Sequence, residues 1–489
     1  MAFRQKNERG VGIVNFFEHK TIFVTGATGF MGKVFVEKIL RVVPTVKKIY
    51  LLVRAHDAET AMHRLKTQII DSKLFKVIRE KHGQSYEEFM WNKLVPISGD
   101  FGKPCLGMDT NFASLVRNEV NVIVHIGANT KWNDRHDVAL ELNVKSLLRF
   151  VDFAKDCMNL VLFLYVSSAF ATQEIPGVTF EKPIDLGQYI TEDGEALGLS
   201  IEQLIDIEMR IISEVALRIQ EEEDQEKEMI KLGMRRAKYY KMANNYLLTK
   251  SMGEMVVTKL MGKLPVVILR PTLIESTFEE PFPGWIEGYK ALDPIILSYG
   301  TGQLEGFRAN PNATMDVVPV DMVTNAMMTA MAKHGNEKKH GVYFYNVAST
   351  VVNPLTIHDI FNFCTNYFTS HPLKDSNGVK IIVKDMKFFE SIPEFIIAGS
   401  GAVTASYAKL QYKFTRMAAL YEPFFSIPGA WFDDKNTRNL LGEMSLEELN
   451  MFNFDFKCID WKDYFTNIHI PGVYHHVFNK KKTLSSSRL

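Results

Sequence analysis

The sequence predicts an α/β fold, with a doubly wound, mostly parallel sheet over residues 1–345 and a smaller, mainly helical C-terminal domain over 346–489. Three observations carry this. Apolar strands alternate with helical stretches along the first two thirds of the chain, the pattern of a parallel sheet covered by helices on both faces. The first strand runs into a glycine-rich turn, TGATGFMG (Thr25 to Gly32), that opens an amphipathic helix. The 489 residues exceed one ordinary domain, so a second unit is expected.

Thr21–Thr25 is a short apolar run bounded by the glycine turn and reads as the first strand. Strand, turn and helix in that order form the dinucleotide-binding fingerprint of a Rossmann sheet. Gly26 permits the tight turn, Gly29 lets the backbone approach a pyrophosphate, and Gly32 allows close helix packing. Thr28, Phe30 and Met31 complete the phosphate-facing turn. The phosphates would rest on the helix N-terminus, where free N–H groups and the helix dipole favour anions.

Lys48–Val53 is the second strand and ends at Arg54. An enzyme using NAD would usually place a carboxylate here to hold the ribose hydroxyl, whereas a guanidinium suits the 2′-phosphate of NADPH. NADPH is therefore the expected cofactor. Further strands are expected at Leu94–Ser98, Asn121–Ile126, Leu162–Val166 and Val266–Leu269. Asp100 follows the third and Gly127 and Ala128 the fourth, and strand ends of this kind line the cofactor crevice.

The fifth strand runs into Ser167 and Ser168, and Ser168 is the expected hydroxyl partner for a substrate carbonyl. Tyr246 and Lys250 lie in NNYLLTKSMGE, four residues apart and so on one helix face. A lysine ammonium beneath a phenol is expected to lower its pKa from about 10 and make it a usable proton donor. Together with the glycine turn, this pair predicts carbonyl reduction or oxidation with a nicotinamide dinucleotide. The charged run Glu221–Glu228 is expected to be an exposed helix face in an insertion before the catalytic helix.

Equal numbers of basic and acidic residues, 57 each, argue against nucleic acid as a partner. Cys105, Cys157, Cys364 and Cys458 are too scattered for a disulfide framework or a cysteine metal site, so no metal and a reducing compartment are expected. The N-terminus lacks an apolar signal core and leaves little room for a transit peptide, so neither secretion nor plastid import is expected. The most apolar candidate span, Phe388–Tyr407, is interrupted by Glu390, Pro393 and Glu394, and no transmembrane helix is expected. The chain ends Ser487-Arg488-Leu489, one conservative change from a peroxisomal address.

Six segments carry a family resemblance: VFVEKILRVVPTVKKIYLLVRA (Val34 to Ala55), NNYLLTKSMGE, LRPTLIEST (Leu269 to Thr277), EPFPGWIEG (Glu280 to Gly288), DVVPVDMVTNAM (Asp316 to Met327) and FNFDFKCIDWKDYFTNIHIPGV (Phe452 to Val473). On them the chain resembles plant-type alcohol-forming fatty acyl-CoA reductases, of the extended short-chain dehydrogenase group. It departs from the family in having Gly32 where alanine is common and Val166-Ser-Ser-Ala-Phe170 where V-S-T-A-Y is common. HIGANTKWNDRHDV is less hydrophobic than the family's version, and YYKMANNY replaces H-G-W-x-N.

The resemblance implies reduction of a long-chain or very-long-chain acyl-CoA to a primary alcohol with two NADPH, for wax or ether-lipid type metabolism. Tyr246 and Ser168 would bind the thioester oxygen, and Lys250 would lower the Tyr246 pKa and hold the nicotinamide ribose. It also implies peripheral membrane association at the cytosolic face of the endoplasmic reticulum, preferred here over the peroxisome. No oligomeric state is assigned. The alternatives are an aldehyde-forming reductase, a sugar-nucleotide epimerase or dehydratase, and a noncatalytic NADPH-binding protein. The 34 phenylalanines and 22 methionines could line an acyl groove, for which Pro281–Tyr289 and the region beyond Asn346 are the expected places.

Overall fold

The computed structural model describes residues 10–172, 178–186, 198–219, 222–261, 264–391, 393–394, 412, 414–419 and 431–478. Its centre is a sheet of seven strands: β1 (Thr21–Thr25), β2 (Lys48–Arg54), β3 (Leu94–Gly99), β4 (Val122–His125), β5 (Leu162–Val166), β6 (Pro265–Pro271) and β7 (Gly341–Val347). They lie in the order β7-β6-β5-β4-β1-β2-β3, and every neighbouring pair is parallel. All C-terminal strand ends therefore share one edge. The order reverses between β1 and β4, the position where an open parallel sheet leaves a crevice for a ligand.

Six strands lie where the sequence predicts them, within a residue or two at their ends. β7 is additional. Its sequence, GVYFYNV, is half-buried over the first three residues and buried over the rest, as expected of an edge strand. It also crosses the expected domain boundary at 345/346, so the dinucleotide-binding sheet runs on to Val347.

Side chains alternate across the sheet and build one apolar layer on each face. Ile22 and Val24 of β1 join a core with the helices α1 (Phe30–Val42) and α5 (Val320–Glu337). Phe23, between them, joins the opposite core with α4 (Asn245–Leu260). Two longer helices, α2 (Ile201–Arg218) and α3 (Glu222–Tyr239), precede α4 and pack on that face. α2 starts with a reciprocal capping box between Ser200 and Gln203, which satisfies two otherwise orphaned N–H groups. The exposed start of α3, with a Glu223–Lys227 pair at 2.8 Å, is the charged face the sequence predicts. One side of its far end is buried, through Leu232, Gly233 and Ala237.

The C-terminal region is mainly helical and shares the core of the sheet. Phe452, Phe454, Phe456, Trp461, Tyr464, Phe465 and Ile470 belong to the same apolar cluster as Ile22 and Val24. The N-terminal segment is tied to it as well, since backbone N–H groups of Val11, Gly12 and Ile13 donate to the Glu448 carboxylate at 2.9, 2.7 and 3.1 Å. Among the described residues no helix is long and apolar enough to cross a membrane. Most of Phe388–Tyr407 lies outside the described residues, as does Ser487-Arg488-Leu489.

Candidate functional site

The glycine turn follows β1 directly. Gly26 takes a left-handed φ of 73°, and a Cβ there would stand 2.7 Å from the Gly127 nitrogen. A Cβ on Gly32 would stand 2.2 Å from the Gly26 carbonyl oxygen. Both positions admit only glycine without backbone movement. Gly29 is the N-cap of α1 and, having no side chain, leaves the amides of Phe30, Met31 and Gly32 uncapped. An anion such as a pyrophosphate fits that cradle, with Thr28 in the same turn.

The loop after β4 closes one side of the cradle. The Gly127 N–H donates to Thr25 Oγ1 at 3.2 Å, and Thr25 Oγ1 lies 2.9 Å from His125 Nδ1. The hydroxyl and the ring share one hydrogen, whose donor depends on the histidine tautomer. Burial, with the Lys250 charge nearby, drops His125 to about 3, so it is neutral and able to accept. Ala128 continues this loop, half-buried. Beyond β3, Asp100 accepts from the Gly102 N–H at 2.9 Å, which shapes its own turn.

Arg54 ends β2 exposed, and its guanidinium has no ion pair among the described residues. Arg64, ten positions on, donates to the Arg54 carbonyl oxygen. Two guanidinium groups therefore flank the end of β2, of which the sequence reading named one. The missed signal was a second arginine on the helix that follows the strand.

At β5 the Ser168 oxygen accepts from the Phe170 N–H at 3.3 Å, leaving its O–H to donate elsewhere. Ser167 Oγ is buried with no partner among the described residues. Lys250 is buried, and its ammonium donates to the Val166 carbonyl oxygen at 2.6 Å and lies 4.2 Å from the centre of the Tyr165 ring. The lysine thus joins α4 to the last residue before the two serines. Tyr246 is half-buried, and no hydrogen bond to its hydroxyl is formed among the described residues.

One electrostatic expectation is corrected. Burial pushes Tyr246 up to about 12, and Lys250 exerts no opposing pull. Lys250 itself is pulled down to about 7 by burial, against the attraction of Glu254. In this geometry the phenol stays protonated at neutral pH and the ammonium serves the Val166 carbonyl.

A buried network, unseen in the sequence, fixes the start of α4. Asn244 is its N-cap and accepts from the Leu247 N–H at 3.0 Å. Asn245 bonds His136 Nδ1 at 2.8 Å and donates to the Asp134 carbonyl at 3.0 Å. His136 Nε2 lies 2.9 Å from Glu208 of α2, which also accepts from Arg236 at 2.7 Å and Tyr240 at 2.9 Å. Burial alone would raise Glu208, but the bonds from His136 and Arg236 hold it down to about 2. Asn143 adds a second tie, donating to Asn129 O and to Thr249 of α4, both at 3.0 Å. These partners come from distant segments without a shared motif, and only the asparagine next to Tyr246 could have drawn attention.

A cavity of about 610 Å³ lies elsewhere, lined by Lys73, Lys76, Arg79, Phe282, His475 and His476 among others. It draws on both segments where an acyl groove was expected, and its lining mixes three basic side chains with Glu80, Val77 and Phe282.

Comparison with known proteins agrees with this architecture. Residues 24–327 match the dinucleotide-binding model, and 394–480 the C-terminal model, of a family described as male sterility protein. The chain is 39% identical to the chloroplastic fatty acyl-CoA reductase 2 of Arabidopsis thaliana, over 96% of this chain and 80% of that protein. It is 34% identical to the alcohol-forming fatty acyl-CoA reductase of Simmondsia chinensis, over 96% and 99%. Among solved structures, the terminal R domain of the myxalamid PKS-NRPS pathway shares the fold, with a TM-score of 0.59 at 18% identity over 94% of this chain and 92% of that one. A nicotinamide cofactor and an acyl-CoA substrate follow from these matches.

The expected location is overturned. A relative this similar is chloroplastic, so kinship does not point to the endoplasmic reticulum. That preference, its peroxisomal alternative and the exclusion of the plastid are withdrawn together. The chain belongs to the fatty acyl-CoA reductase family, matching its dinucleotide-binding and C-terminal models in turn.

Proposed function

We propose that this chain reduces long-chain acyl-CoA to a primary alcohol with two NADPH, at a site formed by Tyr246, Ser168 and Lys250. The observation that carries the reading is the Lys250 ammonium on the Val166 carbonyl, which ties the helix bearing Tyr246 to the strand end bearing Ser168. Gly26, Thr28, Gly29, Phe30, Met31 and Gly32 would hold the pyrophosphate. Gly127, Ala128 and Asp100 would flank the dinucleotide, with Tyr246 and Lys250 at its nicotinamide end. Arg54, with Arg64 beside it, would grip the 2′-phosphate, which a planar guanidinium fork suits. When bound, the dinucleotide supplies hydride.

The chain's own groups handle the proton. Tyr246 and Ser168 donate hydrogen bonds to the thioester oxygen, where negative charge develops, and Tyr246 delivers a proton there. A phenol raised to about 12 is firmly protonated beforehand. The resulting hemithioacetal expels CoA thiol to give an aldehyde, whose oxygen presents the same acceptor to the same two hydroxyls. A second round gives the alcohol, four electrons in all. Peripheral contact with a membrane belongs to this reading, because long acyl chains partition there.

The test is turnover of purified protein with NADPH and a graded series of saturated acyl-CoAs, with thiol, aldehyde and alcohol measured separately. Two NADPH consumed per thiol released, with alcohol as product, is the expected result. One NADPH per thiol with accumulating aldehyde would make the enzyme aldehyde-forming.

A further inference from the structure

Three fully buried side chains outside the residues assigned to the reaction converge from separate parts of the chain. Glu275 ends the short strand Leu273–Glu275, Asp293 opens the helix Asp293–Gly300, and His469 ends the helical turn Tyr464–His469. One donor atom from each lies within 4.8 Å of the others. Nothing in the sequence marks them as a set, and the sequence reading expected no metal.

Each carboxylate has one oxygen engaged and one oxygen free. Glu275 Oε1 accepts from the Leu292 N–H at 3.4 Å, and Asp293 Oδ2 from the Lys290 N–H at 2.6 Å. Glu275 Oε2, Asp293 Oδ1 and His469 Nε2 are buried without a hydrogen-bond partner, and these are the atoms that face one another. Nε2 stands 3.1 Å from Asp293 Oδ1 and 3.9 Å from Glu275 Oε2, ion-pair distances for a protonated ring and donor-atom distances around one cation for a neutral ring. Two carboxylates and an imidazole brought together out of solvent need a compensating charge, from a ring proton or from a bound cation.

The second ring nitrogen fits the same picture. His469 Nδ1 lies 3.1 Å from Ser276 Oγ, and Ser276 Oγ lies 3.2 Å from the Tyr464 hydroxyl, which donates to the Ser276 carbonyl at 2.9 Å. With the tyrosine hydrogen committed, a serine hydrogen turned to the tyrosine oxygen leaves the serine oxygen to accept Nδ1–H. That tautomer leaves a lone pair on Nε2, the arrangement in which metal-ligating histidines are held. Lys290 is near both carboxylates, yet its ammonium sits 4.4 Å from the Phe30 ring centre and pairs with neither acid among the described residues.

We propose that Glu275, Asp293 and His469 bind one divalent transition-metal ion in a buried site, three protein donors with the fourth position left to water. One imidazole and two carboxylates suit zinc best, at about 2.0–2.2 Å from each donor, so the widest pair would draw in by about an ångström. The ion would fasten the C-terminal region to the loop that covers the glycine turn, where Trp285 stacks on Phe30 at 5.4 Å. It takes no part in hydride or proton transfer.

The experiment is elemental analysis of full-length protein purified without a metal-affinity tag or chelator, with the thermal midpoint recorded before and after chelation. Close to one equivalent of a first-row divalent metal per chain is expected. Chelation should lower the midpoint and stoichiometric Zn²⁺ restore it. Glu275→Gln keeps the side-chain shape and should lose most of the metal and its chelator response, and His469→Gln should do the same. Wild-type protein with under a tenth of an equivalent and no stabilisation by added Zn²⁺, Mn²⁺ or Co²⁺ would overturn the proposal. So would metal content unchanged in both variants.

Discussion

Replacing Glu208 with glutamine tests whether the buried network at the start of α4 holds the fold and aims Tyr246. Glu208 is wholly buried and meets His136, Arg236 and Tyr240 at once. Its pKa falls from the ordinary 4.5 to about 2, and at about 1.4 kcal/mol per pH unit this corresponds to roughly 3 kcal/mol. Breaking a buried ion pair by removing one partner costs about 3–5 kcal/mol, so the two routes agree. Glu208→Gln should therefore lose about 3 kcal/mol near neutral pH. The sign in acid is fixed by the depressed pKa: the stabilisation is full above about 4.5 and fades as pH falls towards 2. The gap between wild type and variant should close across that window. Urea unfolding, followed by tryptophan fluorescence and far-UV circular dichroism together, reads both effects. Glu208→Gln with Arg236→Met should be less destabilised than Glu208→Gln alone, because no unpaired guanidinium is left. A single-variant loss under about 1 kcal/mol, the scale of an exposed pair, would refute the reasoning.

Tyr246→Phe removes only the phenolic oxygen and should abolish turnover while leaving dinucleotide affinity nearly unchanged; substantial residual activity would remove Tyr246 from the chemistry. Gly26→Ala puts a Cβ 2.7 Å from the Gly127 nitrogen in a left-handed backbone, so dinucleotide affinity, measured by fluorescence titration, should fall about tenfold or more, equivalent to about 1.4 kcal/mol. Unaltered affinity would mean that the turn does not hold the pyrophosphate. Arg54→Ala should weaken NADPH far more than NADH, and adding Arg64→Ala should widen that gap; equal losses for both cofactors would refute the 2′-phosphate assignment.

What the sequence determined by itself was local. Six strands and the glycine turn were legible because β-branched runs and glycine spacing are set by neighbours in the chain. Gly26 could be named for the same reason, since its left-handed turn against the Gly127 backbone suits only glycine. β7 was missed although Val342, Tyr343, Phe344 and Tyr345 favour a strand, because its place beside β6 is set by a partner more than 70 residues away. Tyr246 and Lys250 were legible from helical spacing, but their electrostatics were not. That Lys250 serves the Val166 carbonyl and burial alone governs Tyr246 depends on which atoms the fold brings within 3 Å. The Glu208 network and the Glu275, Asp293 and His469 cluster were decided wholly by tertiary structure. Their members come from separate segments, and the desolvation that gives them their energy exists only once the two faces of the sheet are packed.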